Sequence, residues 1–356
     1  MSPLPHHEFH AGLGAGFGEI AGSEVVAQYT EIATEYRYLT QTAGVIDLSF
    51  RGRICVLGDD RGQYLHGQLT NDIKSLAPGQ GCYSAICNPK GRIQSDLQVF
   101  ALENEILLDF EPGMTELVTA RLNQNIVADD VELCDIAADF GLLSIQGPRA
   151  EAVVRELSPA LDPPDAPGTI VWTEDETLGQ IYVANHPRLG STGYDLYAGL
   201  DSVPAIADQL IAAARHHDGG PVGWNAFECS RIAAGIPRFG QDMTEANLVP
   251  EAGLGDSAVS YRKGCYIGQE ILNRLRTFAE VSKTLRRIEF APTETAPEVG
   301  TPLELDGKAV GRLTSVTTPP GSGAPVGLGY VHKSANEPGT RLRAGEHLVT
   351  VARLPA

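Results

Sequence analysis

Apolar positions along the chain fall into two alternating rhythms. In 54-ICVLGDDRGQYLHGQL-69 and again in 143-LSIQGPRAEAVVREL-157, an apolar, β-prone run ends at a glycine, a capping Asp or Pro follows, and helical spacing takes over. Each stretch predicts a strand, a turn and a helix. Two such units, roughly ninety residues apart, predict two related α+β subdomains rather than one sheet. Around the first, 81-GCYSAIC-87, 92-RIQSDLQVFAL-102 and 105-EILLDF-110 are strand-like, with 88-NPKG-91 as a hairpin turn. Around the second, 178-LGQIYVANH-186 and 193-GYDLYAGL-200 precede the alanine-rich helix 203-VPAIADQLIAAARH-216. Further helices are expected near 225-NAFECSRIAAG-235, closed by Gly235 and Pro237, and at 268-GQEILNRLRT-277.

Beyond about residue 283 the rhythm shortens. The runs 285-LRRIEF-290, 302-PLELDG-307, 308-KAVGRLTSVT-317, 326-VGLGYVH-332 and 347-HLVTVARL-354 alternate with Gly and Pro turns and predict a small all-β barrel or sandwich. The Pro-rich 158-SPALDPPDAPG-168 reads as a surface loop, and 12-GLGAGFG-18 as a flexible N-terminal segment, since its glycines lack dinucleotide-loop spacing.

Composition narrows the class. With 42% hydrophobic and 20% charged residues over 356 positions, the chain is globular and long enough for two or three domains. A formal charge of −18 repels phosphate backbones, so direct nucleic-acid contact is not expected. Arg274, Arg276, Lys283, Arg286 and Arg287 form the clearest basic cluster in sequence, of a size to hold a small anion's carboxylates or phosphates, with a solvated helix face as the alternative. The N-terminal MSPLPHHEFHAGLGAGFGEI has neither a basic nor an apolar leader region, and no run approaches the about 18 residues of a membrane span. A cytoplasmic protein with no membrane partner is the expectation. The six cysteines lie far apart, which fits reduced thiols, and Cys82 and Cys87 lack the third cysteine of a cluster pattern. No permanently bound metal or cluster is predicted, and His6, His7, His10, His216 and His217 read as loop histidines without zinc spacing.

Three places carry candidate chemistry. Cys265 precedes the helix predicted from residue 268, where free N–H groups, the helix dipole and nearby Lys263 favour a thiolate. A buried small hydrophobe in a Gly-rich turn is the alternative. In 67-GQLTNDI-73 the turn-forming pair Asn71-Asp72 offers a carboxylate to a cavity, or an Asx-turn cap. In 191-STGYDLY-197 Asp195 sits on a strand beside Tyr194, placed to accept two parallel hydrogen bonds from an amidine-like ring edge or to face water.

Taken together, 67-GQLTND-72, 87-CNPKGRIQSDL-97, 191-STGYDLY-197, 231-RIAAGIPRFGQDM-243, 250-PEAGL-254 and 263-KGCYIGQE-270 resemble the YgfZ-type folate-binding proteins, within the superfamily of the glycine cleavage T-protein, the aminomethyltransferase. The likeness runs from about Thr42 to the C-terminus, and the 263–270 motif is its most specific part. It implies an α+β fold of three domains in a ring: two interleaved α+β domains, 1–50 with 139–226 and 51–138 with 227–282, and a C-terminal barrel, 283–356. It also implies tetrahydrofolate or a one-carbon derivative as cofactor. The implied role is accessory to the assembly or repair of iron–sulfur enzymes, including tRNA-methylthiolating enzymes, with client or assembly proteins as partners.

By the same resemblance Asp72 falls on the Thr-Asn-Asp position that assists one-carbon transfer, with Asn71 beside it as a cofactor-facing residue. Asp195 matches the acid that holds the pterin, with Tyr194 next to it, and Arg231 matches an arginine that contacts folate. Cys265 is the motif's reactive residue, supported by Lys263, Gly264, Gly268, Gln269 and Glu270. Ala233, Phe50 and Gly193-Tyr194 depart from the transferase pattern. Those departures set a folate-dependent aminomethyltransferase or demethylase, acting on a small amine or sulfonium, as the alternative reading.

Overall fold

A computed structural model describes residues 2–158, 161–278, 280–292 and 295–355. Its architecture is mixed α+β with a closed six-stranded barrel at the C-terminal end.

A six-stranded sheet runs in the order Ile170–Asp175, Gly179–Asn185, Gly193–Gly199, Phe140–Gln146, Gly44–Asp47 and Gly220–Pro221. Its pairs are antiparallel except the last. Helix Val203–His216 carries Pro204 in its first turn and buries Val203, Ile206, Ala207, Leu210, Ile211 and Ala214, a stripe with helical spacing. That stripe joins helix Ala150–Leu157 and the sheet residues Val45, Ile145 and Leu196 in one core. A second core gathers Leu39, Ile46, Phe100, Tyr197 and Trp224. A five-stranded sheet is ordered Gly81–Cys87, Ile93–Ala101, Ile106–Phe110, Gly52–Leu57 and Glu132–Asp135. Both expected strand-turn-helix units are present, as Gly52–Leu57 with Arg61–Gln68 and Phe140–Gln146 with Ala150–Leu157.

The barrel closes in the order Lys283–Phe290, Val326–His332, Lys308–Thr317, Pro302–Leu305, Arg341–Ala344 and His347–Ala352. Ile288, Leu303, Leu313, Val331, Leu342 and Val349 fill it. Compactness divides the chain into Met1–Leu65 with Ile73–Tyr83 and Leu97–Glu228, and His66–Asp72 with Ser84–Asp96 and Cys229–Ala356.

Several expectations need correction. The N-terminal segment is structured: helix His7–Gly12 leads into a hairpin of Gly16–Ile20 with Ser23–Gln28. Of its alternating glycines, Gly12 ends the helix, Gly14 turns the chain at φ +84°, and Gly16 and Gly18 lie in the strand. His10 is buried, with Nε2 2.8 Å from Asp47 and Nδ1 2.7 Å from the Tyr29 hydroxyl, so it is no loop histidine. The basic cluster also disperses. Arg286 and Arg287 are neighbours on one strand, which sends them to opposite faces. Arg276 and Arg286 line a cavity of about 400 Å³ that also holds Asp256, Glu280 and Glu337, while Arg287 donates to the Ala233 carbonyl. The 158–168 segment is a loop, with 159 and 160 outside the described residues.

All six thiols are reduced; Cys55, Cys87 and Cys229 are buried and Cys265 is exposed. No helix among the described residues is long and apolar enough to cross a membrane.

Candidate functional site

In the second unit, two sequence motifs are bound together by a buried lysine. The Lys263 ammonium donates to the carbonyls of His66 (2.5 Å), Leu69 (2.7 Å) and Asn71 (2.7 Å), and lies 4.8 Å from the centre of the Tyr266 ring. The His66 carbonyl lies in the last turn of helix Arg61–Gln68 and those of Leu69 and Asn71 just beyond it, so the cation also meets the negative end of the helix dipole. This clamp ties the loop carrying Cys265 to the segment carrying Asp72.

The Asp72 segment is itself held on both sides. Thr70 donates to the Ala258 carbonyl at 2.6 Å, and Asn71 donates to the Ser257 carbonyl at 3.2 Å. The Asn71 side-chain oxygen accepts the Asp72 N–H at 2.9 Å. One Asp72 oxygen lies 3.1 Å from Nδ1 of His66, and its side chain is 37% exposed. An acid, an imidazole and a thiol-bearing loop therefore share one edge of this unit.

Gly268 shows why the motif is glycine-rich. Its φ is +89°, and a Cβ there would lie 2.9 Å from the Asn88 carbonyl oxygen and 3.2 Å from Cβ of Cys87. The 88–91 turn thus packs against 263–268 with no room for a side chain. Helix Gln269–Phe278 starts directly afterwards, with Cys265 four positions earlier and exposed. The Gln269 amide donates to the Gly264 carbonyl at 3.3 Å, and Glu270 is exposed in the first helical turn. Burial pushes the Tyr266 hydroxyl upward in pKa, with Cys87 and Tyr261 adding to it.

In the first unit, Asp195 is fully buried on strand Gly193–Gly199 and already paired. Arg188 Nε donates to both its oxygens, at 3.0 and 2.9 Å, and His186 Nδ1 lies 2.8 Å away. Arg188 also bridges to Asp109 at 2.5 Å, and Asp109 accepts from Arg51 at 2.8 Å; Arg51 pairs with Glu111. Burial would raise the Asp195 pKa, but the Arg188 guanidinium and then His186 outweigh it and hold the carboxyl well below the usual range. Asp109 is lowered likewise: Arg188 and Arg51 overcome its burial. Ligand atoms of Asp109, His186 and Asp195 lie within 4.8 Å of one another, a metal-like spacing, but the guanidinium of Arg188 supplies the cation between the carboxylates.

Tyr194 does not join this group. Its neighbours in the chain alternate faces, and its ring lies in the core with Ile145 and Leu196. Arg231 is 2% exposed, paired with Asp242 and donating to Ser315 at 2.9 Å and to the Ile236 carbonyl at 3.2 Å. Asp242 also accepts from Thr314 at 2.6 Å and Ser315 at 2.7 Å. Arg231 thus ties helix Trp224–Ala233 to barrel strand Lys308–Thr317.

Residues 6–263 match the family described as the GCVT N-terminal domain, and residues 283–354 match the glycine cleavage T-protein C-terminal barrel domain. The chain belongs to the glycine cleavage T-protein family. A chloroplastic protein of Arabidopsis thaliana, named only as a transferase, is 30% identical over 98% of this chain and 79% of its own. The aminomethyltransferase of Bacillus subtilis is 27% identical, over 96% of this chain and 93% of its own. Glycine cleavage system aminomethyltransferase T from Bartonella henselae has the same fold, with a TM-score of 0.87 at 24% identity, covering 99% of this chain and 97% of that one.

Within this T-protein family member, the sequence reading passed over His66, Asp96, Asp109, His186, Arg188 and Asp242. Asp109 had a legible signal: a lone acid inside the apolar strand 105-EILLDF-110 must find a cation if the strand is buried. Arg188 had none, since it lies in a turn after Pro187.

Proposed function

We propose that this T-protein family member binds tetrahydrofolate and serves as an accessory protein for the assembly or repair of iron–sulfur enzymes, tRNA-methylthiolating enzymes among them, with Cys265 as its reactive thiol. The reading is supported by one observation above others: Cys265 is exposed on a loop whose neighbour Lys263 is buried to fasten it. A packing cysteine would be inside and its loop lysine outside. Here the order is reversed, as a presented thiol requires.

Folate fits the donor set conditionally. A pterin edge needs a carboxylate that can accept two parallel bonds, and Asp195 has that chemistry, but Arg188 holds both its oxygens. The ring would take the place of Arg188 on Asp195, leaving Arg188 on Asp109. Bound tetrahydrofolate would supply one-carbon chemistry at its ring nitrogens. In the second unit Asp72, with His66 beside it, has the chemistry to hold or move a proton, and the Asn71 side chain fixes the Asp72 backbone.

The second reading, a folate-dependent aminomethyltransferase or demethylase for a small amine or sulfonium, draws on the pair of the partly exposed Asp72 with the largely buried His66 and on relatives named aminomethyltransferase. One experiment separates them. Alkylation of Cys265 is followed against pH by peptide mass spectrometry, with and without tetrahydrofolate under anaerobic conditions, alongside turnover assays with amine and sulfonium donors. The accessory role predicts rapid alkylation that folate slows, and no turnover. Folate-dependent turnover lost in Asp72→Asn, with a slow and folate-indifferent thiol, would replace it with the transferase.

A further inference from the structure

The six-stranded sheet of the first unit ends at strand Ile170–Asp175, and its outer edge is built unlike a protected one. The register fixes which groups point outward. Asn185 donates to the Thr169 carbonyl at 2.8 Å, so 169, 171, 173 and 175 bond inward to Gly179–Asn185. The N–H and C=O groups of 170, 172 and 174 therefore face away. Ile170 N–H is met by the Gly79 carbonyl at 2.9 Å. Trp172 and Glu174 continue the edge past that point.

The exposed positions of this edge are Val171 and Trp172 in its first half and Glu174 in its second, with no lysine or proline of the kind that blunts an unpartnered strand. Trp172 is 54% exposed and Val171 36%. Trp172 lies directly opposite Tyr182 in the register, so the two rings share a face. They line a cavity of about 530 Å³ together with Leu102, Gln180, Glu103 and Glu105. Glu105 acts on Tyr182 from close by: burial raises the Tyr182 pKa, and Glu105 is the next cause. The hairpin tip adds Glu174, Asp175 and Glu176. Edge, aromatic wall and carboxylates are three features of one surface, and none of them is used by the folate and thiol residues.

We infer that Ile170–Asp175 is a docking strand for a partner protein, which adds an extended segment in β-augmentation and places a lysine or arginine side chain in the cavity. The occupant's chemistry follows from the lining. Its backbone pairs with Trp172 and Glu174, the aliphatic stem of its cation lies along Trp172 and Tyr182, and the charged head meets Glu103 and Glu105. An acidic segment would be repelled. This inference does not depend on the thiol or on folate.

The test uses the full chain and a fluorescein-labelled, ten-residue peptide of alternating Lys with Val or Thr. A copy with Glu in place of Lys serves as control. Anisotropy is measured at physiological salt, and amide exchange is followed by mass spectrometry. Saturable binding of the lysine peptide is expected, with at least tenfold weaker binding for the glutamate copy and for Trp172→Ala. Glu174→Pro removes one outward N–H, which an edge strand tolerates, and is expected to weaken binding equally while circular dichroism is unchanged. Bound peptide should slow exchange in the segment containing 171–175. Equal affinity across variants would show charge adsorption and overturn the proposal, as would the absence of binding at millimolar peptide or protection elsewhere in the chain.

Discussion

Lys263 and Arg188 are both buried cations, but they hold different kinds of partner, and substitution separates them. Lys263 donates to three neutral carbonyls at a helix end. Lys263→Met removes the donors and leaves the carbonyls unsatisfied. The expected loss is about 3 kcal/mol, read as a lower denaturant midpoint, with faster proteolysis between 261 and 269. Arg188 sits between two buried carboxylates, so Arg188→Leu strands Asp195 with His186 alone. Breaking such a network costs about 3–5 kcal/mol at pH 7. The pH dependence has a definite sign. In the wild type, folding lowers the Asp195 and Asp109 pKa values, so their contribution is complete above the ordinary carboxylate value of about 4 and falls as pH drops below it. In the variant, burial raises the Asp195 pKa, and protonation then relieves the stranded charge. The stability gap between the two proteins should narrow from pH 7 to pH 4 in urea titrations; a constant gap would mean that Arg188 is not what holds Asp195.

At the scale of elements, Gly268 decides whether helix Gln269–Phe278 can begin where it does. A methyl group at φ +89° and 2.9 Å from the Asn88 oxygen must push the 88–91 turn or the helix start aside. Gly268→Ala is expected to cost about 1–3 kcal/mol, seen as a drop in melting temperature, and to change the Cys265 alkylation rate; an unchanged rate would uncouple the turn from the thiol loop. The same elements show what a sequence can disclose. Strands such as Gly52–Leu57 and Val326–His332 are legible because their burial is continuous or alternates with clear turns. Arg341–Ala344 was not, because only Leu342 and Ala344 point inward and the other two residues are arginines. Helix Thr115–Asn123 and strand Ile170–Asp175 give a weak pattern because each buries few residues: Val118 and Leu122 in the helix, Ile170 in the strand. The motifs disclosed Asp72 and Cys265 with their loops, yet the clamp between them depends on Lys263 reaching carbonyls about 190 residues away. No local pattern encodes that.

Over the whole molecule, charge sets which partners can be held directly. The net charge of −18 opposes tRNA, and an accessory role for tRNA-modifying enzymes does not need tRNA contact. The barrel does present one basic groove, about 560 Å³, lined by Lys283, Arg312 and His332. Its two permanent cations could displace about two counterions, which makes a weak and salt-sensitive contact. With a slope near −0.9 per phosphate, raising salt from about 50 to about 200 mM lowers such an affinity roughly twelve-fold. A mobility-shift titration with total tRNA should therefore show no saturable complex at physiological salt, and any association in low salt should vanish as salt rises. The Lys283→Glu variant tests the same point from the other side, because replacing one of the two cations by a carboxylate should abolish even the low-salt complex. Tight binding that survives physiological salt would require a basic surface larger than this groove and would make RNA a direct partner of the chain.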